Sequence, residues 1–476
     1  MLGRLCTNYT RHQSRFLTTL YQQQRYATSS SGNAVTDMTE RGLVANITSP
    51  DLIQKTESPT AIYCGVDPTA NSLHLGNLVT LMGLLHFGIH GHQAIALVGG
   101  ATGSIGDPSG RSTERVPLGR DILEQNVAGI ERQVHRFFKN GTAYALGRGY
   151  SAETKTPKVL NNYSWFSGMT ALEFLGDVGR YARVNTMLAK ESVKSRIEST
   201  QGISFTEFSY QLLQAYDFWY LYQNHECRVQ LGGSDQWGNI TAGIDLINKR
   251  RGSADEEEEK NNLENRAFGI TIPLLLTSSG EKFGKSAGNA VWLDETKTSY
   301  FDFYQFFMKT ADADVGKYLS MFTLLSKEQV GNIMDEHQKN PEQRKAQQLL
   351  ADETTELVHG LDGVKKAQVA TKVLFGGDIG NVSGQEIVDA FEHDSSRMVT
   401  LDRSVVVNGN LDMVATLAKA TRSKSEAQKL VKAGGMYLNN IRVTDPRHKI
   451  SESELIDGKV CVLRAGKASY YIVNIV

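Results

Sequence analysis

Ala61-Ile62-Tyr63-Cys64-Gly65-Val66-Asp67-Pro68-Thr69, followed closely by His74-Leu75-Gly76-Asn77, is the stretch that decides the fold. It opens with a short, nearly continuous apolar run, the pattern of a strand buried on both faces. Glycine and proline then break the run, and an apolar pattern of helical period extends from Leu75 to Phe87. A second apolar run, Gln93 to Val98, ends in another glycine-rich loop, so the segment reads as strand, helix and strand of a parallel sheet. The arrangement recurs where a helical pattern from Phe205 to Tyr222 leads into the run Arg228 to Leu231 and the loop Gly232-Gly233-Ser234-Asp235. Residues 45–277 are therefore expected to form a doubly wound, Rossmann-like α/β domain on a parallel sheet.

In such a fold, a helix starting just past a strand aims its free N–H groups and positive end at phosphate. Gly76 has no β-carbon, which leaves room for a flat base against the helix, while His74 and Asn77 share a face and can donate to phosphate or ribose. Lys282-Phe283-Gly284-Lys285-Ser286 lies among small residues (Ser278, Ser279, Gly280, Gly288), as a closing loop does, and its two lysines suit a leaving pyrophosphate. Read alone, each motif has a plain alternative: a structural histidine beside a glycine, or a solvated basic turn. Their pairing, one after the first strand and one after the last, describes a two-sided ATP site. Gly99 to Gly110 has neither the G-x-G-x-x-G nor the G-x-x-x-x-G-K-[ST] spacing, which disfavours nicotinamide and P-loop chemistry. His86 and His90 are spaced like metal ligands, but Gly88 and Gly91 interrupt the helix and no nearby carboxylate completes a set, so no metal site is expected.

Tyr210, Gln214 and Asp217 follow an i, i+4, i+7 spacing and share one face of an otherwise apolar helix. A buried polar stripe needs partners, either an internal hydrogen-bond network or a ligand.

Bulk properties narrow the class. At 476 residues the chain exceeds one compact core, and a 40% hydrophobic share with a formal net charge of -1 gives no global field for nucleic acid or membrane. RNA binding must then rest on local patches. The four cysteines show no C-x-x-C spacing, which argues against a zinc knuckle or a disulfide framework. No apolar run reaches the roughly 18 residues of a membrane span. Residues 1–36 contain no acid before Asp37 but carry Arg4, Arg11, Arg15 and Arg25 among many Ser and Thr, the pattern of a mitochondrial transit peptide. A disordered tail is the plain alternative. Asp255 to Glu259 reads as a solvated surface insertion.

These residues resemble the class I aminoacyl-tRNA synthetases, with His74 to Asn77 similar to their HIGH signature and Lys282 to Ser286 to KMSKS. More narrowly, the chain is similar to the bacterial-type tyrosyl-tRNA synthetases of mitochondria, through Tyr63 to Thr69, Gly106-Asp107-Pro108-Ser109-Gly110, Phe205 to Asp217 and Gly232 to Trp237. The resemblance implies that Tyr63 and Asp217 read the substrate phenol, that Asp107, Tyr210 and Gln214 hold its ammonium group, and that Gln236 faces its carboxylate. Gly65, Asp67, Gly76, Asn77, Gly233 and Asp235 would bind the adenosine portion of ATP, with Mg²⁺ on the phosphates. Thr69, His74, Lys282 and Lys285 would act on the phosphates as charge develops. A site built to bond a hydroxyl leaves its own groups unpaired when phenylalanine enters, an effect for which this family is itself the reference case. Two departures stand out: Asn77 replaces the second signature histidine, and Phe-Gly fills the middle of the lysine motif.

Beyond the sheet domain, residues 278–300 are expected to form the lysine loop and linker, and residues 301–395 an all-helical domain, with capping boxes at Ser326/Gln329 and Ser383/Glu386 and a helix from Asn340-Pro341 that Gly360 can end. Residues 411–476 resemble a small α+β S4-like RNA-binding domain and carry 11 Lys or Arg against 6 Asp or Glu. The family implies tRNA(Tyr), L-tyrosine and ATP as partners, a homodimer through the region near Phe205, and work in the mitochondrial matrix. A tryptophan-specific relative and a non-enzymatic RNA-folding protein that keeps the synthetase shell are the rival readings.

Overall fold

A computed structural model describes residues 32–110, 113–115, 118–150, 155–200, 202–251, 262–280, 283–286, 289–467 and 469–476, with backbone alone at 285, 286 and 289. Most of the expected transit peptide and the acidic insertion lie outside these residues. The chain divides into two compact units, one ending at Ala290 and taking back Ala311–Ala346, the other made of Val291–Thr310 and Gln347–Val476.

The first unit opens on helix α1, Ala34–Glu40, whose N-cap Asn33 accepts from the Val35 and Thr36 N–H groups and whose Ala34, Val35 and Met38 are buried. The described structure thus reaches into the expected 1–36 leader, with Ala34 and Val35 already buried. Strands β1 (Asn46–Ile47), β2 (Ala61–Val66), β3 (Gln93–Val98), β4 (Lys158–Asn161), β5 (Cys227–Gly233) and β6 (Phe268–Ile272) form one sheet in the order β1-β6-β5-β2-β3-β4. All neighbours are parallel except β1, which runs antiparallel to β6. From β2 the chain steps outward to β3 and β4, then returns to the other side of β2 for β5 and β6. Such a reversal leaves a crevice past the carboxyl ends of β2 and β5, the place where doubly wound sheets bind ligands.

Helices α2 (Leu75–Ile89), α3 (Arg120–Leu146), α4 (Phe205–Asn224) and α5 (Trp237–Arg251) cover the sheet. α2 buries Leu75, Leu78, Leu81, Met82 and Leu85 and is apolar on several sides, as a central helix must be. α4 is capped by Ser204, whose side chain accepts from the Glu207 N–H, and it buries Tyr210, Ala215, Asp217, Phe218 and Leu221. Helices α6 (Asp312–Phe322) and α7 (Lys327–Lys339) also belong to this unit, with the Ser326/Gln329 capping box present. The expectation that 301–395 is a separate helical domain is corrected here. α6 and α7 read as ordinary amphipathic helices, and periodicity says which face is buried but not which body buries it.

Pro341–Gln343 is a single turn near the end of the first unit, and the helical run Lys345–Leu374 that follows is broken at Gly360, whose φ of 73° and ψ of 179° no helix allows. In the second unit the Ser383/Glu386 box starts a helix at Gly384. A five-stranded sheet follows in the order Ile441–Arg442, Met436–Leu438, Val460–Ala465, Ser469–Ile475, Met398–Leu401. Asn439 and Asn440, at φ 48° and 67°, make the tight hairpin turn between the first two. Met398–Leu401 pairs in parallel with Ser469–Ile475, so this unit takes in residues well before 411. Four residues with no turn signal around them gave sequence reading nothing to hold.

Candidate active site

The crevice between β2 and β5 collects the polar stripe of α4. Tyr63, on β2, is fully buried, its ring 5.3 Å from that of Phe218, and its hydroxyl has no hydrogen-bond partner among the described residues. Asp217 faces the same region. Its carboxylate accepts from Asn162 Nδ2 at 3.0 Å and from Trp165 Nε1 at 2.9 Å. Burial pushes the Asp217 carboxyl up to about 8, against the pull of these two donors. Asn162 is completely buried; its amide also donates to Thr102 Oγ1 at 3.0 Å, and its oxygen accepts from the Ala101 N–H at 2.7 Å.

Thr102 passes the network on to Asp67, which stands one residue past the end of β2. Asp67 accepts from Thr102 Oγ1 at 2.8 Å and from the Tyr210 hydroxyl at 2.9 Å. Burial and the neighbouring Asp107 raise its carboxyl to about 6. Asp107 accepts from Gln236 Nε2 at 2.7 Å and from the Ser109 N–H at 2.9 Å, with Asn239 beside both. Gln214 Oε1 is buried with no partner among the described residues. Two buried carboxylates, an unpaired amide oxygen and a phenol form a pocket suited to a cation that donates several hydrogen bonds.

On the nucleotide side, a β-carbon on Gly76 would come within 2.8 Å of the His74 ring, so the glycine leaves room for the imidazole at the start of α2. Asn77 Oδ1 accepts from the His74 N–H at 3.1 Å and so caps α2, with its amide N–H groups left to donate elsewhere. Gly284 sits at φ +85°, and a β-carbon there would meet Leu75 Cβ at 3.0 Å and Gly76 N at 3.4 Å. The lysine loop thus touches the start of α2, and the two expected halves of the ATP site meet. Lys282 lies outside the described residues, and of Lys285 only the backbone is described, paired with Ala290.

Thr69 is exposed next to Asp67, its N–H donating to the Asp67 carbonyl at 2.8 Å, and Gly65 is exposed at the end of β2. Past β5, a β-carbon on Gly233 would lie 2.5 Å from Asp235 Oδ1, and Gly110 approaches the same exposed carboxylate. Asp67, expected on the adenosine side, accepts from Tyr210, which is expected at the ammonium group. Sequence reading missed Thr102, Asn162, Trp165 and Asn239. The available signal was positional: Asn162 and Trp165 follow the run Lys158 to Asn161, and polar residues past the ends of parallel strands gather at such a crevice.

With this geometry in place, comparison with known proteins is direct. Residues 54–376 match the family described as tRNA synthetases class I (W and Y), and residues 395–473 match the Tyrosine--tRNA ligase SYY-like C-terminal domain. The first family spans tryptophan and tyrosine enzymes alike, while the second is specific to tyrosine. The mitochondrial tyrosine–tRNA ligase of Saccharomyces cerevisiae is 42% identical over 94% of this chain and 89% of its own length. The tyrosine–tRNA ligase of Geobacillus kaustophilus is 43% identical over 91% of this chain and 97% of its own. A C-terminally truncated mitochondrial tyrosyl-tRNA synthetase of Aspergillus nidulans superposes with a TM-score of 0.66 at 35% identity, covering 75% of this chain and 99% of that one. Two family matches that divide the chain between them, and relatives of 42% and 43% identity over 94% and 91% of it, lead to one statement: the chain belongs to the class I aminoacyl-tRNA synthetases and, within them, to the tyrosine–tRNA ligases.

Proposed function

We propose that the residues of the crevice divide the work of tyrosine activation by position along it, in a mitochondrial tyrosine–tRNA ligase. Tyr63 and Asp217 take the phenol at the closed end. Asp67, Asp107, Tyr210 and Gln214 take the ammonium group, and Gln236 orients the carboxylate toward ATP. The observation that carries this reading is the helix face itself: Tyr210, Gln214 and Asp217 stand on α4 with buried polar atoms, one of them unpaired.

Activation joins the tyrosine carboxylate to the α-phosphorus of ATP as the bond to pyrophosphate breaks, and no proton need move. The protein then contributes positioning and donors aimed at growing phosphate charge. Thr69, His74, Lys282 and Lys285 fill that role, with Gly65, Gly76, Asn77, Gly233 and Asp235 along the adenosine. Mg²⁺ enters on the phosphates as part of the nucleotide substrate. A ribose hydroxyl at the 3′ end of tRNA(Tyr) then takes the tyrosyl group. In the second unit, Arg422, Lys424, Lys429 and Lys432 are exposed on and beside the helix Lys424–Lys432, which suits phosphate contact.

A homodimer is supported by the surface near the start of α4. Phe205 is 78% exposed there, and Leu172, Leu175, Val184 and Leu188 are exposed on the same unit. Monomers rarely leave so many large apolar side chains uncovered.

The test is tyrosine-dependent exchange between ATP and pyrophosphate in Asp217→Ala. Exchange is expected to vanish with the fold intact by circular dichroism; unchanged exchange contradicts the pocket assignment.

A further inference from the structure

The lysine motif departs from its family signature at Phe283-Gly284, and the structure gives that pair a use. We infer that one face of α6, formed by Asp314, Tyr318 and Phe322, holds the lysine loop in place through Ser278 and Phe283. The inference rests on the reading that the two lysines act on the phosphates, and it adds four positioning residues to that reaction.

Asp314, Tyr318 and Phe322 recur at i, i+4 and i+8, so they make a single stripe along the helix. At its N-terminal end the Asp314 carboxylate is buried and accepts from the Ser278 N–H at 3.1 and 3.0 Å and from Ser278 Oγ at 2.9 Å. These charge-assisted bonds fix the first residues of the loop. Further along the stripe, the Phe283 ring is buried, stacked on Phe322 at 5.1 Å with planes 20° apart and tilted on Tyr318 at 4.7 Å. The Phe283 N–H donates to the Leu275 carbonyl at 3.0 Å. The very next residue, Gly284, turns with positive φ and lays its backbone on Leu75 and Gly76 at the start of α2. The loop is therefore pinned between two helices by adjacent residues. Lys282 and Lys285 flank that pinned pair in sequence, so their reach is set by where Phe283 and Gly284 are held.

A general packing role would lower stability and spare the rate. A positioning role moves the rate of activation and leaves tyrosine binding alone. The experiment compares Phe283→Ala, Phe283→Leu, Asp314→Ala, Asp314→Asn and Lys285→Ala in the full chain, measuring single-turnover tyrosine activation and, separately, tyrosine affinity by equilibrium dialysis. Phe283→Ala and Asp314→Ala are expected to slow activation by about 10²-fold at an unchanged tyrosine Kd, since misplacing a group by about 1 Å costs on that order. Phe283→Leu and Asp314→Asn, which keep the fill and the acceptor, should recover most of the rate. If Phe283→Ala and Asp314→Ala keep activation within about twofold while Lys285→Ala loses it, the anchor is wrong and the lysine reading stands. The anchor also falls if the rate and the tyrosine affinity drop together, because that marks a general packing defect. If Lys285→Ala keeps full rate, the underlying reading fails and the anchor with it. Should Phe283→Ala not fold, the Asp314→Ala and Asp314→Asn pair decides on the same two readouts.

Discussion

Asp67 and Asp217 sit in one buried network yet are tuned differently. Asp67, raised to about 6 by burial and by Asp107, is largely ionised at neutral pH, whereas Asp217, raised to about 8 chiefly by burial, is largely protonated. An ammonium ligand favours the ionised form of Asp67, so binding must release a proton once the pH falls below about 6. Tyrosine affinity should then weaken by up to about tenfold per pH unit below that point, measurable by calorimetry in two buffers of different ionisation enthalpy. For Asp217 the sign concerns folding. Its unfolded carboxyl titrates near 3.8 and its folded one near 8, so the native state holds the extra proton between them and stability falls as pH rises through that window. Asp217→Asn should flatten the dependence of Tm on pH between about 4 and 8; an unchanged slope counts against a buried, destabilised carboxylate. Tyr210, Gln214 and Asp217 were legible in the sequence because helical period assigns them a common face. Asn162, Trp165 and Thr102, which orient the two carboxylates, were not. They lie in or beside single helical turns just past strand ends, too short for spacing to carry information about direction.

At the scale of elements, β2, α2, β3, α4 and β5 were readable from their apolar runs and helical period, with glycine-rich loops after β3 and at the end of β5, and their order already implied the switch point. The lysine loop was readable only as composition. What its contacts add is the closeness of Gly284 to α2, and this predicts a mutational effect. In Gly284→Ala the residue must hold a φ of +85° with its Cβ 3.0 Å from Leu75 Cβ, so the loop is expected to shift away from the helix start. Activation should slow by about ten- to a hundredfold with tyrosine affinity retained, read by stopped-flow activation and equilibrium dialysis. Equal activity in this variant would mean that the close approach is dispensable. α6 shows the opposite limit of sequence reading. Its pattern announced a helix correctly, but it folds with the catalytic unit because Phe283, distant in sequence, supplies the ring that Tyr318 and Phe322 bury.

At the scale of the whole molecule, chain order and spatial grouping part company. The first unit takes back Ala311–Ala346 after the chain has left it, and the second gathers strand Met398–Leu401 from ahead of the segment read as its beginning. α1 likewise extends the fold into the basic leader, with Ala34 and Val35 already buried. Truncation through residue 36 should therefore lower Tm relative to truncation before Asn33, by several degrees on the scale of a lost cap and two buried side chains. The proposed homodimer is tested by Phe205→Asp, which places a charge on the apolar surface and should shift sedimentation from dimer to monomer with loss of aminoacylation; a wild-type sedimentation profile contradicts an interface at this surface. The central claim is that one pocket reads both ends of tyrosine. Amino-acid-dependent exchange of pyrophosphate into ATP tests it most directly, with tyrosine, phenylalanine and tryptophan supplied separately. Exchange with tyrosine alone is predicted. Exchange supported by tryptophan and not by tyrosine would contradict the account.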